Sequence, residues 1–175
     1  NQACWKLYQF DQITHEQLRY DRLKLSFDAI GYGISDIEID YISQEYIDLL
    51  TENNHLFDGT FEILDYLNKK YRLHVITNGF APVQVKKLTN ANLIPYFATV
   101  TNSEMAGVKK PNPIIFEYAL DLAKAKKETS IMIGDSIEAD VLGALDAGID
   151  AIYFNESKQD VANNIKQINH LLELK

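Results

Sequence analysis

The sequence predicts an α/β fold in two parts, and three observations carry that reading. From residue 53 onward, short apolar runs of β-type residues alternate with helical patterns, whereas the residues before it read as helix alone. Charge is uneven: residues 1–56 hold 10 acids and 4 bases, net −6, and residues 57–175 hold 15 and 13, net −2. Strands that alternate with helices imply a parallel sheet with right-handed crossovers, a Rossmann-like core. The expected division is therefore a small all-helical part, 1–56, followed by an α/β core, 57–175.

The elements follow in order. Asn1 to Trp5 reads as the inside of a helix. Thr14 can cap a run in which Leu18, Leu23, Leu25 and Phe27 recur at roughly helical spacing; Gly31 and Gly33 break it. Asp36 or Ile37 opens the next helix, carried by Ile39, Ile42, Tyr46, Ile47, Leu49 and Leu50. The core then predicts helix 60–70, strand 73–77, helix 82–91, strand 98–101, helix 113–126, strand 131–134, helix 137–147, strand 151–154 and a last helix near 160–173.

Composition narrows the possible functions. The 175 residues are 46% hydrophobic and 24% charged, with 8 Gly and 4 Pro, enough apolar material for a core. The net charge of −8 repels a phosphate backbone, so a nucleic-acid polymer is not an expected partner. No apolar stretch is long enough to span a membrane, so no membrane partner is expected either. The single cysteine, Cys4, excludes an intramolecular disulfide or a thiolate metal cage and favours a reducing, cytoplasmic setting.

In open α/β sheets ligands collect beyond the carboxyl ends of the strands. Thr77-Asn78-Gly79 follows the first predicted strand, a hydroxyl and a turn whose backbone N–H groups suit an anion such as phosphate. Asn-Gly is also ordinary turn punctuation. After the second strand comes Lys109-Lys110-Pro111-Asn112-Pro113, in which Pro111 forces Lys110 into an extended conformation that projects its amine. A solvated lysine pair before a helix is the alternative. The third end is Gly134-Asp135-Ser136, with Asp140 in the opening turns of the next helix. Two carboxylates there suit Mg2+, one directly and one through water or by orienting a neighbour. Asp135 with Glu138 would equally make a capping box.

Taken in order, Ile76-Thr77-Asn78-Gly79, then Gly107 to Phe116, then Gly134-Asp135-Ser136 with Asp140, closely resemble the second, third and fourth motifs of haloacid dehalogenase-like phosphohydrolases. The Ala147-Gly148-Ile149 turn adds to the match, and residues 1–56 look like the helical cap of such proteins. Ile76 to Phe80 and the Asn1 to Trp5 helix look most like bacterial pyrimidine 5'-nucleotidases. The resemblance implies a Mg2+-dependent phosphomonoesterase acting on a small phosphorylated metabolite, with a nucleotide as the expected substrate. Thr77 and the Asn78 and Gly79 amides would hold phosphate oxygens, Lys110 would neutralise charge, and Asp135 would hold the metal with Asp140 in support. A catalytically inactive phospho-ligand binder and a 2-haloacid dehalogenase are the alternatives.

The family's first motif, a strand ending in Asp-x-Asp with the nucleophile and the general acid, is absent from these residues. Phe57-Asp58-Gly59-Thr60 imitates its tail, but Leu56 stands where the nucleophile would be, and Asp58 is expected to cap helix 60–70. The resemblance places that first strand between the strands ending at Thr77 and Gly134. Without it the two should stand about 9 to 10 Å apart, twice the ordinary spacing, with no hydrogen bonds between them. His15, His55, His74 and His170 share no ligand spacing, and Cys4 and Trp5 are expected to pack within the helical part.

Overall fold

A computed structural model describes every residue except 53. The chain divides into two compact units, Asn1–Asn54 and His55–Lys175. Among the described residues no helix is long and apolar enough to cross a membrane.

The first unit is three helices, α1 (Gln2–Gln9), α2 (His15–Ala29) and α3 (Asp36–Leu50). Both longer helices start with reciprocal capping boxes, Thr14 with Gln17 and Ser35 with Glu38, which satisfy otherwise orphaned N–H groups. Leu18 and Ile39 are fully buried, and Cys4 joins them in the interior. The Arg22 guanidinium lies between the rings of Trp5 and Tyr46, 5.5 and 5.1 Å from their centroids, and donates to Asn1 Oδ1.

The second unit runs α4 (Thr60–Asn68), β1 (Leu73–Thr77), α5 (Ala81–Asn90), β2 (Phe97–Asn102), α6 (Ser103–Ala106), α7 (Pro113–Ala123), β3 (Ile131–Gly134), a π-helical turn (Ile137–Leu142), α8 (Gly143–Asp146), β4 (Asp150–Phe154) and β5 (Gln167–Ile168). All strand pairs are parallel, in two sheets ordered β1-β2 and β3-β4-β5. β1 and β3 are not hydrogen-bonded to each other. No residue of either is fully buried, and Ile131 is half exposed, unlike the covered strands of a closed parallel sheet. Both sheets rest on one apolar cluster: Ile115 and Phe116 of α7 with Val141, Ala144, Ala151 and Tyr153, against which Ile76 of β1 and Met132 of β3 pack.

Three local expectations are corrected. Residues 160–173 do not form a helix. Ile168 instead pairs with Phe154 as β5 and is buried, and only Leu171–Leu174 makes a 3₁₀ turn. The loop is held by Asn155, whose amide bonds the Gln159 backbone and the Gln167 side chain, so tertiary burial and a polar anchor override helical spacing. Asp58 does not cap α4. The cap is Gly59 at φ +80°, where a Cβ would come within 2.8 Å of the Leu172 side chain. The expected helix 137–147 opens as a π-turn, in which the Ser136 carbonyl accepts from both Asp140 N–H (2.9 Å) and Val141 N–H (3.2 Å).

Candidate functional site

The site grows out of the carboxyl ends of β1 and β3. Lys110 is at its centre and is only 8% exposed. Its ammonium donates to Asp140 Oδ1 at 2.5 Å and to the Ile76 carbonyl at 2.9 Å, so one side chain bonds the last turn of β1 and the π-turn that follows β3. Pro111 was expected to send this amine out of its loop. The amine instead points inward, onto a carboxylate that is itself 4% exposed.

Asp140 reaches this position because of the residues before it. Its Oδ2 accepts from Ser136 N–H at 3.0 Å. A Cβ at Gly134 would fall 2.3 Å from the same oxygen, so only glycine lets the carboxylate lie against the strand end. With both oxygens engaged, Asp140 is a holder of Lys110, and its charge is matched inside the fold.

Asp135, at the tip of β3, differs. It is exposed and enters no ion pair among the described residues. The Asp135–Glu138 capping box does not form, because the cap of the turn is Ser136, whose Oγ accepts from Ala139 N–H at 3.1 Å. The Asp135 carboxylate is thus left without a structural task.

At the end of β1, Thr77 Oγ1 accepts from Gly79 N–H at 3.0 Å, which closes the turn upon itself. Asn78 turns its side chain to Lys110, accepting from Lys110 N–H at 2.7 Å and donating to Lys110 C=O at 2.9 Å. Sequence reasoning found the residue types but missed this pairing, as it missed the Ile76 carbonyl and Ser136. Backbone partners 32 residues apart leave no side-chain pattern to read.

Mg2+, which the resemblance implies, can be tested against these donors. Among the described residues no three His, Cys, Asp or Glu side chains gather as a metal group. Mg2+ commonly takes one or two carboxylates and completes its shell with water and substrate phosphate. Asp135 suits such a site as a single protein carboxylate, and Asp140 can serve it only by orienting its neighbours.

The model of the haloacid dehalogenase-like hydrolases matches residues 6–154. The chain belongs to this family. Among its relatives are the pyrimidine 5'-nucleotidase PynA of Streptococcus pneumoniae, 32% identical over 89% of this chain and 65% of its own, and the pyrimidine 5'-nucleotidase YjjG of Escherichia coli, 29% identical over 94% and 72%. The solved structure of YfnB from Bacillus subtilis bound to magnesium is 28% identical and covers 99% of this chain and 76% of that one, with a TM-score of 0.87. This haloacid dehalogenase-like chain therefore spans about two thirds to three quarters of the length of these relatives.

Proposed function

We propose that the chain carries the phosphate- and metal-binding part of a Mg2+-dependent phosphomonoester hydrolase acting on nucleoside 5'-monophosphates. The observation that carries this reading is the contrast between the two carboxylates: Asp140 is consumed in holding Lys110, while Asp135 stands exposed and unpaired at the strand tip. The helical N-terminus that follows gives an exposed acid there at most about 1 kcal/mol of fold stability, whereas a cation site needs one. That relatives are named pyrimidine 5'-nucleotidases supports the substrate class.

In this reading Thr77 and the backbone N–H groups of Asn78 and Gly79 bind phosphate oxygens, the Thr77 hydroxyl giving up Gly79 N–H to do so. Lys110, fixed between β1 and the π-turn, offsets negative charge as an anionic ester meets an anionic nucleophile. Asp135 would hold Mg2+, which supplies further charge neutralisation at the phosphate. The attack itself, through an aspartyl-phosphate, is assigned to an acid beyond these 175 residues, and the helical unit to a cap that bears on specificity.

The test compares this chain with the complete gene product on pyrimidine and purine nucleoside monophosphates, sugar phosphates and 2-haloacids, measuring phosphate or halide release with Mg2+ or chelator. The expected result is Mg2+-dependent phosphate release from nucleoside monophosphates by the complete product and none by the chain alone, since loss of a nucleophile costs several orders of magnitude. Asp135→Asn in the complete product should abolish turnover at millimolar Mg2+ and leave the circular dichroism spectrum unchanged. Binding without turnover by the complete product would refute the hydrolase and favour the inactive phospho-ligand binder.

A further inference from the structure

Asn78 stands in a motif read as an anion turn, yet its carboxamide faces away from that task. Its Oδ1 accepts Lys110 N–H at 2.7 Å, and its Nδ2 donates to Lys110 C=O at 2.9 Å. A planar amide that takes both backbone groups of one residue fixes that residue's position and rotation together, as a single hydrogen bond cannot. The residue so held is the one whose ammonium reaches Ile76 C=O, two positions before Asn78, and Asp140 Oδ1. Lys110 is thereby fixed at its backbone from one side and at its head from another.

We propose that Asn78 is a positioning residue, whose side chain sets the Lys110 ammonium between the ends of β1 and β3 by clamping the Lys110 backbone. The proposal rests on the phosphohydrolase reading of the site for its functional meaning, but the clamp is a property of this chain alone. Few side chains can replace it. Aspartate keeps the acceptor and loses the donor, leucine keeps the shape and loses both, and glutamine is one methylene too long. In the phosphohydrolase reading the Asn78 backbone N–H also meets a phosphate oxygen, so the residue would serve the site twice, once by main chain and once by side chain.

The test reads the ammonium directly. The folded 175-residue chain is treated with a limiting amine-acylating reagent, and acylation of each lysine is followed by peptide mass spectrometry, with exposed Lys86 and Lys124 as internal references. In the unsubstituted chain Lys110 should react far more slowly than either. Asn78→Leu should abolish that protection while circular dichroism still reports a folded chain, and Asn78→Asp should lose it in part. Should Asn78→Leu fail to fold, Asn78→Asp decides. Wild-type protection of Lys110 in the variant that is folded would overturn the proposal, because a mere loop brace leaves the ammonium where it was.

A kinetic arm uses the complete gene product. Asn78→Leu is expected to lower kcat about 100-fold, the scale of a misplaced charge-neutralising group, with little change in KM. A raised KM at unchanged kcat would instead make the carboxamide a substrate contact and overturn the proposal. Absence of any phosphatase activity in the unsubstituted complete product would sink the functional reading, while the acylation arm would still decide the clamp.

Discussion

Replacing Asp140 by alanine isolates the energetics on which the site depends. Asp140 is 4% and Lys110 8% exposed, so the substitution strands an ammonium in a buried position with the Ile76 carbonyl as its remaining acceptor here. It also removes the acceptor of Ser136 N–H. Breaking a buried pair from one side costs about 3 to 5 kcal/mol, the larger part of it the uncompensated charge. If that is the cause, Lys110→Met made together with Asp140→Ala removes the stranded charge. The double variant then costs about 1 to 2 kcal/mol, for the orphaned donor and imperfect packing. The double variant should therefore be about 2 to 3 kcal/mol more stable than Asp140→Ala alone, and the coupling larger still, because Lys110→Met by itself strands the buried Asp140 carboxylate. Urea unfolding followed by far-ultraviolet circular dichroism, with the denaturant slope held constant, measures all four chains. The coupling should survive high salt, since a pair so sheltered is little screened. A single cost under about 1 kcal/mol, or strict additivity, would refute the assignment of Lys110 and Asp140 as a buried charge pair.

Gly134→Ala would place a Cβ 2.3 Å from Asp140 Oδ2 and should destabilise the chain by about 1 to 3 kcal/mol, read as a lowered Tm. Thr14→Ala removes one half of the capping box of α2 and should cost about 1 kcal/mol in the same urea assay. Burial, and secondarily the charge of Arg72, hold His74 below the ordinary histidine value of 6.5. Above pH 6.5 the ring is neutral folded and unfolded, so it adds no pH dependence. As pH falls below 6.5 the unfolded chain takes up the proton first, stability declines, and the decline stops once pH passes the folded value. His74→Gln should remove that part of the pH slope, and an unchanged slope between the two proteins would count against it.

Strands β1 to β4 were legible because each is a short run of apolar and β-branched residues closed by Gly, Asn or Thr, as in Leu73–Thr77 and Ile131–Gly134. The cap at Thr14 and the position at which α3 begins were legible for a similar local reason, while the Ser35 cap of α3 was not read. What failed was non-local. Residues 160–173 carry helical spacing, but the gain from burying Ile168 beside β4 and the Asn155 anchor lie in another part of the chain. Asp58 has the chemistry of a cap, yet the approach of Leu172 gives the position to Gly59. At the site the residue types at three strand tips could be read, but not who holds whom. Nothing in the sequence says that Asn78 binds the backbone of Lys110, or that Asp140 is occupied and Asp135 free.

One atom, the Nζ of Lys110, is bonded to the carbonyl of one sheet and to the turn leaving the other. A library of variants selected only for soluble expression should therefore deplete substitutions at Lys110 and Asp140 as severely as a library selected for turnover. Mutational intolerance at those positions reports architecture and chemistry together and cannot rank them. Asp135 should behave in the opposite way, freely replaced under the first selection and invariant under the second. The difference between the two libraries, rather than either alone, is the map on which the chemistry of this surface separates from its framework.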